Sequence, residues 1–365
     1  MVGSGRFVIL AKCHGVPKAS ALALARSLRR RALVLAYPIA MISRPTLALL
    51  IPAYNAGGFL ARLLESAKQQ TEPFDEIWVY DDGSVDETVA VAERYGARVV
   101  RGGINRGCCA GKNVLAARTA ADWLHFHDAD DELYPNFVAL ARRWMQCARY
   151  DVVLFPYEER NNATNKRMGF RAFDPVAVFQ DPRSYSIREQ INPFCCLYRR
   201  EDFLRAGGYD EDPLVLFNED VAMHIRLAFG GLSFAAEREI SIISHRRVDS
   251  MSASNRLGCL RSHFHVMRKT AAREDAGPYA PEIAERLWVA AAGLASQLDW
   301  DTADAAASLA ASLAGPNAAP SSFAFKVLCR LSPPFALRVR EWLIRTTKPR
   351  LREGCPGWRA PVSLI

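Results

Sequence analysis

Short apolar runs alternate with longer amphipathic segments along residues 46–156. The first run, TLALLIP at 46–52, predicts a buried strand, and the apolar residues that follow it keep helical spacing. Further strands are predicted at 76–80, 97–100, 122–127 and 151–156, and helices at 59–67, 86–95, 113–121 and 136–149. This alternation favours an α/β fold with a mainly parallel sheet flanked by helices. Ligands of such sheets bind beyond the carboxyl ends of the strands.

The pattern changes twice after this region. Residues 157–200 are irregular, which is typical of a loop-rich acceptor region, and beyond residue 255 the chain becomes helical without strand patterns. We therefore predict a domain over 46–255 and a helical C-terminal region over 256–365. Residues 1–45 are predicted to be a basic extension, either disordered or lying upstream of a true start at Met41.

Basic residues are concentrated at the two ends of the chain. The 365 residues carry a net charge of +8, yet the first 45 hold eight Lys or Arg and no acid, and the last 45 hold nine against two. Since the ends carry +8 and +7, the central part carries −7. A nucleic-acid-binding domain would place basic residues on its folded body, so we predict no nucleic-acid partner. Basic ends suit an anionic membrane surface.

The C-terminal tail contains an amphipathic segment. Over 335–345 a single helical stripe would carry four apolar residues with arginines beside it: Phe335, Val339, Trp342 and Leu343. Two interpretations stay open, a helix docked on the protein and a helix lying on a membrane surface.

The cysteines and the apolar runs indicate where the protein resides. Nine cysteines show neither a C-x-x-C pair nor a zinc spacing, which favours a reduced compartment. No apolar run reaches the roughly 20 residues that span a bilayer. We predict a cytoplasmic protein, with peripheral contact to the inner face of the plasma membrane as an added hypothesis.

Four carboxylates follow the fourth predicted strand, in the sequence HDADDE at 127–132. Each close pair costs up to about 4 kcal/mol at an effective dielectric constant near 20, so a cation should lie nearby. Carboxylates together with phosphate oxygens are typical ligands of Mg²⁺ or Mn²⁺. A solvated acidic turn at the start of the next helix explains the same residues, and the pattern alone leaves both interpretations open.

A second acidic group, DDGSVDET at 81–88, follows the second predicted strand. Ser84 and Glu87 have the spacing of a capping box for the next helix. Asp81 and Asp82 are left free to accept hydrogen bonds from a base or a ribose. The chain has no G-x-G-x-x-G or P-loop motif, which argues against the usual nicotinamide and P-loop sites.

Taken together, these motifs resemble the family 2 glycosyltransferases, which have the GT-A fold. The resemblance covers about residues 46–252 and rests on seven motifs in the family's order. They are IPAYN (51–55), DDGSVDET (81–88), NRGCCAGKN (105–113), DADD (128–131), GGYDE (207–211), NED (218–220) and RRVDSMS (246–252).

The resemblance implies transfer of a sugar, with inversion, from a nucleoside diphosphate donor with the help of Mn²⁺ or Mg²⁺. A UDP-sugar is the expected donor, and the expected acceptor is a hydroxyl of a glycan or lipid-linked acceptor in cell-surface polysaccharide synthesis.

Roles for individual residues follow from motif positions alone. The nucleoside pocket would be lined by Pro52, Tyr54, Asp81 and Asp82. Lys112 would meet a phosphate, Asp128 the ribose or sugar, and Asp130 the metal. Asp220 would be the general base, with Glu219 beside it as second candidate, and His245 would add a metal or diphosphate contact.

One departure and two alternative functions qualify this interpretation. Gly111-Lys112-Asn113 stands where relatives usually have Ala-Arg-Asn, and a lysine lacks the bidentate fork of arginine. One alternative function is a nucleotidyltransferase, which should have a basic glycine-rich loop after its first strand. Residues 53–59 contain no Lys or Arg, which weighs against it. A catalytically inactive relative that scaffolds a synthesis complex is the other alternative, against which the DADD and NED motifs weigh.

Overall fold

Two sheets and thirteen α-helices make up the part of the chain that the computed structural model describes, residues 44–247, 255–315 and 322–357. The predictions for residues 1–43 and for the last five residues of the RRVDSMS motif lie outside this part. The strands are β1 (Leu47–Ala53), β2 (Glu76–Asp81), β3 (Arg98–Arg101), β4 (Trp123–Phe126), β5 (Glu132–Leu133), β6 (Val152–Leu154), β7 (Tyr157–Asn161), β8 (Arg167–Arg171), β9 (Cys196–Arg199), β10 (Phe234–Ala236) and β11 (Ile242–Arg246). The α-helices are α1 (Leu60–Lys68), α2 (Thr88–Arg94), α3 (Cys108–Arg118), α4 (Phe137–Cys147), α5 (Pro175–Gln180), α6 (Pro182–Arg188), α7 (Arg200–Arg205), α8 (Glu219–Phe229), α9 (Arg256–Ala271), α10 (Ala280–Ser296), α11 (Trp300–Ala314), α12 (Phe323–Leu331) and α13 (Pro333–Thr347).

The larger sheet has the strand order β10-β6-β9-β4-β1-β2-β3. β1 lies parallel to both β2 and β4, with Ile51 opposite Val79 and Leu49 opposite His125, and only β9 runs antiparallel to its neighbours. β1 is buried along nearly its whole length, as expected of a strand covered on both faces. The predicted mainly parallel α/β sheet flanked by helices is confirmed.

In the smaller sheet, β5-β11-β7-β8, the last described strand, β11, lies next to the strand that follows the DADD motif, β5. β5 begins at Glu132, directly after the DADD motif, and pairs antiparallel with β11, with Glu132 opposite Ile243. Because β11 continues to Arg246, its last residues lie next to the acidic loop.

Helices α9 to α13 form the predicted C-terminal helical region. Their buried apolar side chains belong to a second hydrophobic cluster that also contains Val221, Ile225 and Phe229 of α8. From Pro45 onward the described residues pack as one compact unit. The C-terminal helices therefore share a core with the helix that carries the NED motif.

A buried group of charges joins α13 to the residues that follow it. Glu341 of α13 is 1% exposed, and its carboxylate accepts hydrogen bonds from Arg345 at 2.8 Å and from Arg352 at 2.7 Å. The buried carboxylate is thus fully paired, which is the condition for placing such a charge inside a protein. Within the described ranges, no helix is long and apolar enough to cross a membrane.

The capping box predicted for Ser84 and Glu87 is wrong. The Ser84 hydroxyl accepts a hydrogen bond from the Asn55 backbone N–H at 2.9 Å, and α2 begins only at Thr88. The Thr88 N–H donates to the Asp86 carboxylate at 3.0 Å, so Asp86 takes the place expected of Ser84. Ser84 instead joins the loops that follow β1 and β2.

Helix α3 begins five residues earlier than predicted, at Cys108, and includes Gly111. A Cβ atom added at Gly111 would lie 2.6 Å from Cδ1 of Tyr80 on β2. Glycine therefore allows α3 to pack closely against this aromatic ring, which explains a residue that is otherwise unfavourable in a helix.

Candidate active site

A cleft of about 740 Å³ opens at the carboxyl ends of β1 and β4. Eight of the ten residues predicted for the site line it: Pro52, Tyr54, Lys112, Asp128, Asp130, Glu219, Asp220 and His245. Asp130 and Asp220 come from elements 90 residues apart, the loop after β4 and the start of α8, yet they face the same space.

The other two predicted residues, Asp81 and Asp82, lie at the end of β2 and are not in the cleft lining. The Asp82 carboxylate accepts hydrogen bonds from the backbone N–H groups of Arg106 and Gly107, both at 2.8 Å. Asp81 accepts one from the Ser84 N–H at 3.0 Å. Asp82 thus holds the loop between β3 and α3, and Asp81 holds the turn after β2. Their predicted role in nucleoside binding stays a prediction.

The acidic loop after β4 is fastened to β11 through Asp131. This side chain is 4% exposed and accepts a hydrogen bond from the His245 N–H at 2.7 Å. Burial raises the pKa of Asp131 well above its usual value, and its neighbours Asp128 and Asp130 raise it further. Asp131 thus fixes the loop while Asp128 and Asp130 face the cleft.

Asp128 lies in a strongly acidic environment. Burial raises its pKa from the usual 3.8 to about 6, while the Lys112 ammonium lowers it and the charges of Asp130 and Glu219 raise it. Its charged form is disfavoured until a cation approaches.

His245 uses one of its two ring nitrogens in a hydrogen bond among the described residues. Its Nε2 lies 2.9 Å from the Glu132 carboxylate, which can only accept, so Nε2 carries the hydrogen. Its Nδ1 is buried and has no hydrogen-bond partner among the described residues. A histidine that donates one N–H to a carboxylate and presents the other nitrogen is the usual form of a metal-binding histidine.

The protein alone does not assemble a closed metal site in the described ranges. No group of three or more His, Cys, Asp or Glu side chains stands close enough to hold an ion. Asp130 and His245 nevertheless line one cleft, and a carboxylate oxygen with an imidazole nitrogen fits a divalent cation that takes its remaining ligands from a diphosphate. Arg247 lies 3.5 Å from the Asp130 carboxylate and adds positive charge there.

Lys112 is the buried cation of the site, with 3% of its surface exposed. Its ammonium lies 4.9 Å from the centre of the Tyr209 ring. Burial lowers the pKa of Lys112, but the groups around it, Asp128 and Glu219 among them, outweigh this and raise it well above its usual value. Lys112 therefore stays charged between the two carboxylate groups of the cleft.

Asp220 lies in the first turn of α8, where the helix N-terminus favours a negative charge. Its carboxylate accepts hydrogen bonds from the Val221 N–H at 2.8 Å and from the Gln190 side-chain amide. Burial nevertheless raises its pKa from 3.8 to about 7; Glu219 raises it too, while the Val221 N–H and Lys112 lower it. A carboxylate with a pKa near neutrality can both take up and release a proton at working pH.

The turn before Asp220 depends on the C-terminal region. The Asn218 side chain donates to the Cys259 carbonyl at 2.9 Å and accepts from the His263 ring at 3.2 Å, and both partners belong to α9. The preceding residue, Phe217, has a φ of +78°, a conformation rarely adopted by residues other than glycine. Helix α9 thus stabilises an unfavourable turn directly before the carboxylate pair.

The cleft residues that were not singled out from the sequence include Gln190, Phe217 and Arg247. Arg247 stands inside the RRVDSMS motif, so a signal for it existed. Phe217 is adjacent to the NED motif, but neither its conformation nor its place in the cleft has a sequence pattern. Gln190 lies in the irregular segment, where nothing in the sequence marks it.

The fold and the site define a class of protein. A mainly parallel sheet whose fourth strand leads into an Asp-Ala-Asp turn, opposite a carboxylate pair at a helix start, is the arrangement of the GT-A glycosyltransferases. Residues 48–206 match the family model described as Glycosyl transferase family 2. The chain is therefore similar to this family over 159 of its 365 residues.

Curated relatives are similar over part of their length. A Haemophilus influenzae protein described as an uncharacterized glycosyltransferase is 37% identical over 25% of this chain and 31% of its own length. Validoxylamine A glucosyltransferase of Streptomyces hygroscopicus subsp. limoneus is 28% identical over 53% of this chain and 50% of its own length. The chain thus matches half or less of these two relatives.

Solved structures share the fold at low sequence identity. S. aureus TarS 1–349 in complex with UDP-GlcNAc has a TM-score of 0.62 at 16% identity, covering 82% of this chain and 92% of that one. Mannosyltransferase PcManGT from Pyrobaculum calidifontis, in complex with GDP-Man and Mn²⁺, has a TM-score of 0.54 at 18% identity, covering 91% and 90%. The GT-A fold extends through most of the chain.

Removal of the Asp220 charge should stabilise the protein at neutral and alkaline pH. A carboxyl group whose folded pKa is raised binds its proton more tightly in the folded state, so its ionisation destabilises the fold as pH rises from about 4 to about 7. Asp220→Asn should therefore match the parent protein at pH 4 and exceed it by a few kcal/mol at pH 8 in urea unfolding. The exposed Glu274→Gln is the control and should change stability little at either pH. If Asp220→Asn were less stable than the parent protein at pH 8, the conclusion that burial opposes ionisation of Asp220 would be wrong.

Proposed function

We propose that this protein is an inverting glycosyltransferase. It transfers a sugar from a nucleoside diphosphate sugar to a hydroxyl group of a glycan or lipid-linked acceptor in the synthesis of a cell-surface polysaccharide. The observation that supports this proposal most is that Asp130 and Asp220 line one cleft. One carboxylate is placed for the leaving diphosphate and the other for the attacking hydroxyl.

Asp220 would act as the general base. In an inverting transfer the acceptor oxygen attacks the anomeric carbon as the bond from that carbon to the diphosphate breaks. The acceptor proton passes to Asp220, the electron pair leaves with the nucleoside diphosphate, and the proton later returns to solvent. A positioned carboxylate contributes about 10²–10⁴-fold to such a reaction. The Gln190 amide holds one carboxylate oxygen and so orients the base.

The donor diphosphate would lie near Asp130, His245, Arg247 and Lys112. A divalent cation, Mn²⁺ or Mg²⁺, would be held by Asp130 and His245 and would supply charge neutralisation to the diphosphate. Arg247 and Lys112 provide fixed positive charge in the same cleft. Pro52 and Tyr54 line the cleft at the end of β1 and would contact the nucleoside.

UDP-sugars are the first donors to test, since TarS was solved in complex with UDP-GlcNAc. GDP-sugars follow, since the Pyrobaculum calidifontis enzyme holds GDP-Man. In a thermal-shift screen with Mn²⁺, a donor at 100 times its dissociation constant should stabilise the protein by about 2.7 kcal/mol. Release of nucleoside diphosphate from a stabilising donor would separate an enzyme from an inactive scaffold. Neither stabilisation nor release with any UDP-, GDP- or dTDP-sugar would contradict the proposal.

Asp220→Asn should abolish transfer and leave donor binding nearly unchanged. The amide cannot take the acceptor proton, so we expect turnover to fall by about 10²–10⁴-fold. The matched control is Glu219→Gln, one residue away on α8, which should keep more activity. Loss of donor binding together with turnover would show that Asp220 is not the base.

The parent enzyme should also lose activity as the pH falls below about 7, because protonated Asp220 cannot act as a base. Other charged or titratable groups act on this carboxyl from several elements, namely Glu219 on α8, Lys112 on α3, Cys196 on β9 and Cys259 on α9. The measurement is turnover at saturating donor against pH. A rate that stays constant from pH 8 to pH 5 would exclude Asp220 from proton transfer.

Asp130→Asn and His245→Ala should each weaken the stabilisation that Mn²⁺ adds to UDP binding. The first substitution removes a charged oxygen ligand and the second the free Nδ1. Thermal shift with Mn²⁺ alone, UDP alone and both together gives the readout without any turnover. His265→Ala on α9, away from the cleft, is the control and should behave as the parent. If both site variants keep the full Mn²⁺ contribution, the ion is held elsewhere.

A further inference from the structure

Helices α12 and α13 expose apolar side chains where a protein surface is normally polar. Phe323 and Leu331 at the two ends of α12 are each 80% exposed, and on α13 Trp342 is 63% exposed and Phe335 53%. Phe323 and Leu331 are eight residues apart and Phe335 and Trp342 seven apart, so each pair lies on one face of its helix. The stripe predicted for the tail exists on α13, but it faces outward.

Five cations accompany these side chains without a carboxylate partner in the described ranges: Lys326, Arg330, Arg340, Lys348 and Arg350. The other basic residues of 322–357 are paired, Arg338 with Asp304 and both Arg345 and Arg352 with Glu341. The unpaired positive charge is thus concentrated on the segment that exposes the aromatic rings. We call α12, α13 and residues 348–351 the tail surface.

A groove of about 320 Å³ lies between the two helices of the tail surface. Its walls are mostly apolar, with Phe325 and Leu328 from α12 and Ile344 from α13. The Nη1 atom of Arg340 is buried there without a hydrogen-bond partner. A second cavity shares Thr347 and Lys348 with the groove and continues it toward Arg350. An unpaired guanidinium in an apolar groove suits a ligand that has both an anionic group and an apolar part.

We propose that the tail surface docks on an anionic phospholipid bilayer, with its aromatic side chains in the headgroup region and its cations on the lipid phosphates. Basic charge around exposed aromatic and aliphatic side chains is the composition of interfacial helices. Charge excludes one alternative occupant, the N-terminal 45 residues, since they carry eight basic residues and no acidic one. The proposal goes beyond the proposed function and does not depend on it.

The orientation of the tail surface is fixed by its attachment to the folded body. Arg345 of α13 donates to the Ser296 carbonyl of α10 at 2.9 Å, and Arg338 of α13 donates to the Asp304 carboxylate of α11 at 2.7 Å. Glu341, on the buried side of α13, pairs with both Arg345 and Arg352. Because the basic side chains that face the protein are paired, the unpaired ones are left for an external partner. Of these five, Arg330, Lys348 and Arg350 are exposed and Lys326 and Arg340 half-buried.

The test is sedimentation of the full chain with vesicles, in low-salt buffer, with phosphatidylcholine alone or mixed equally with phosphatidylglycerol. We expect binding to the anionic vesicles only, weakening as ionic strength rises. Each basic residue near such a surface contributes about 1 kcal/mol, so Arg330→Gln with Lys348→Gln should weaken binding about 30-fold. Phe335→Ser with Trp342→Ser should weaken it at least about tenfold through lost apolar burial.

Matched control variants distinguish binding through the tail surface from non-specific binding through charge or exposed apolar side chains elsewhere on the protein. Arg94→Gln with Arg118→Gln removes two exposed cations from α2 and α3, and Met168→Ser with Phe170→Ser removes two exposed apolar side chains from β8. Both controls should bind vesicles as the parent does, and thermal melting should confirm that all variants fold. The proposal would be overturned if a control lost as much vesicle binding as the matching tail variant, or if the parent bound neutral vesicles equally well. It would also be overturned if the protein associated with itself without lipid and the tail variants abolished that association. Since donor binding is not read out, failure here leaves the proposed transfer unaffected.

Discussion

The site depends on the crowding of carboxylates at the carboxyl edge of the parallel sheet. Asp128, Asp130, Glu219 and Asp220 line one cleft, and Lys112 is the buried cation between them. Burial disfavours the charged forms of Asp128 and Asp220 and raises their pKa values to about 6 and about 7. The neighbouring carboxylates raise both values further, because Lys112 and Arg247 do not balance four negative charges. The same imbalance that costs stability creates a need for added cations and a base that titrates near neutral pH. Unfavourable electrostatics of this kind are common in active sites.

The C-terminal helices stabilise this unfavourable arrangement. Asn218 is held by the Cys259 carbonyl and the His263 ring, and α8 contributes Val221, Ile225 and Phe229 to the core that α9 to α13 complete. The C-terminal helices, which lie outside the sheet, thus stabilise both the unfavourable backbone conformation of Phe217 and the buried position of Asp220. A segment without any residue in the cleft still determines how the carboxylate pair is presented.

Most of the fold could be predicted from the sequence because its signals are local. Apolar runs and helical spacing located the strands and helices of residues 46–156, and motif order suggested the GT-A arrangement. The errors lie where tertiary contacts override local preference. Ser84 bonds Asn55 across 29 positions instead of capping α2, and Gly111 lies inside α3 because Tyr80 needs the space that a Cβ would fill. Neither contact has a pattern within its own segment.

Site residues could be predicted from the sequence only where they belong to a recognisable motif. Asp130 and Asp220 stand in acidic motifs, whereas Gln190 contacts Asp220 from an irregular segment, and its partner is set by the path of the chain. Burial is also a property of the folded state, which is why the raised pKa of Asp220 could not be read from the residues 218–220 alone.

The departure at Gly111-Lys112 can now be given a physical reason. Lys112 is 3% exposed and lies over the Tyr209 ring, while the adjacent Gly111 packs against Tyr80. Lys112 thus lies over one aromatic ring, and the helix that carries it packs against a second. A point charge can balance Asp128 and Glu219 without fixing the geometry of either. The cleft does contain a guanidinium with a bidentate fork, that of Arg247, which lies 3.5 Å from the Asp130 carboxylate.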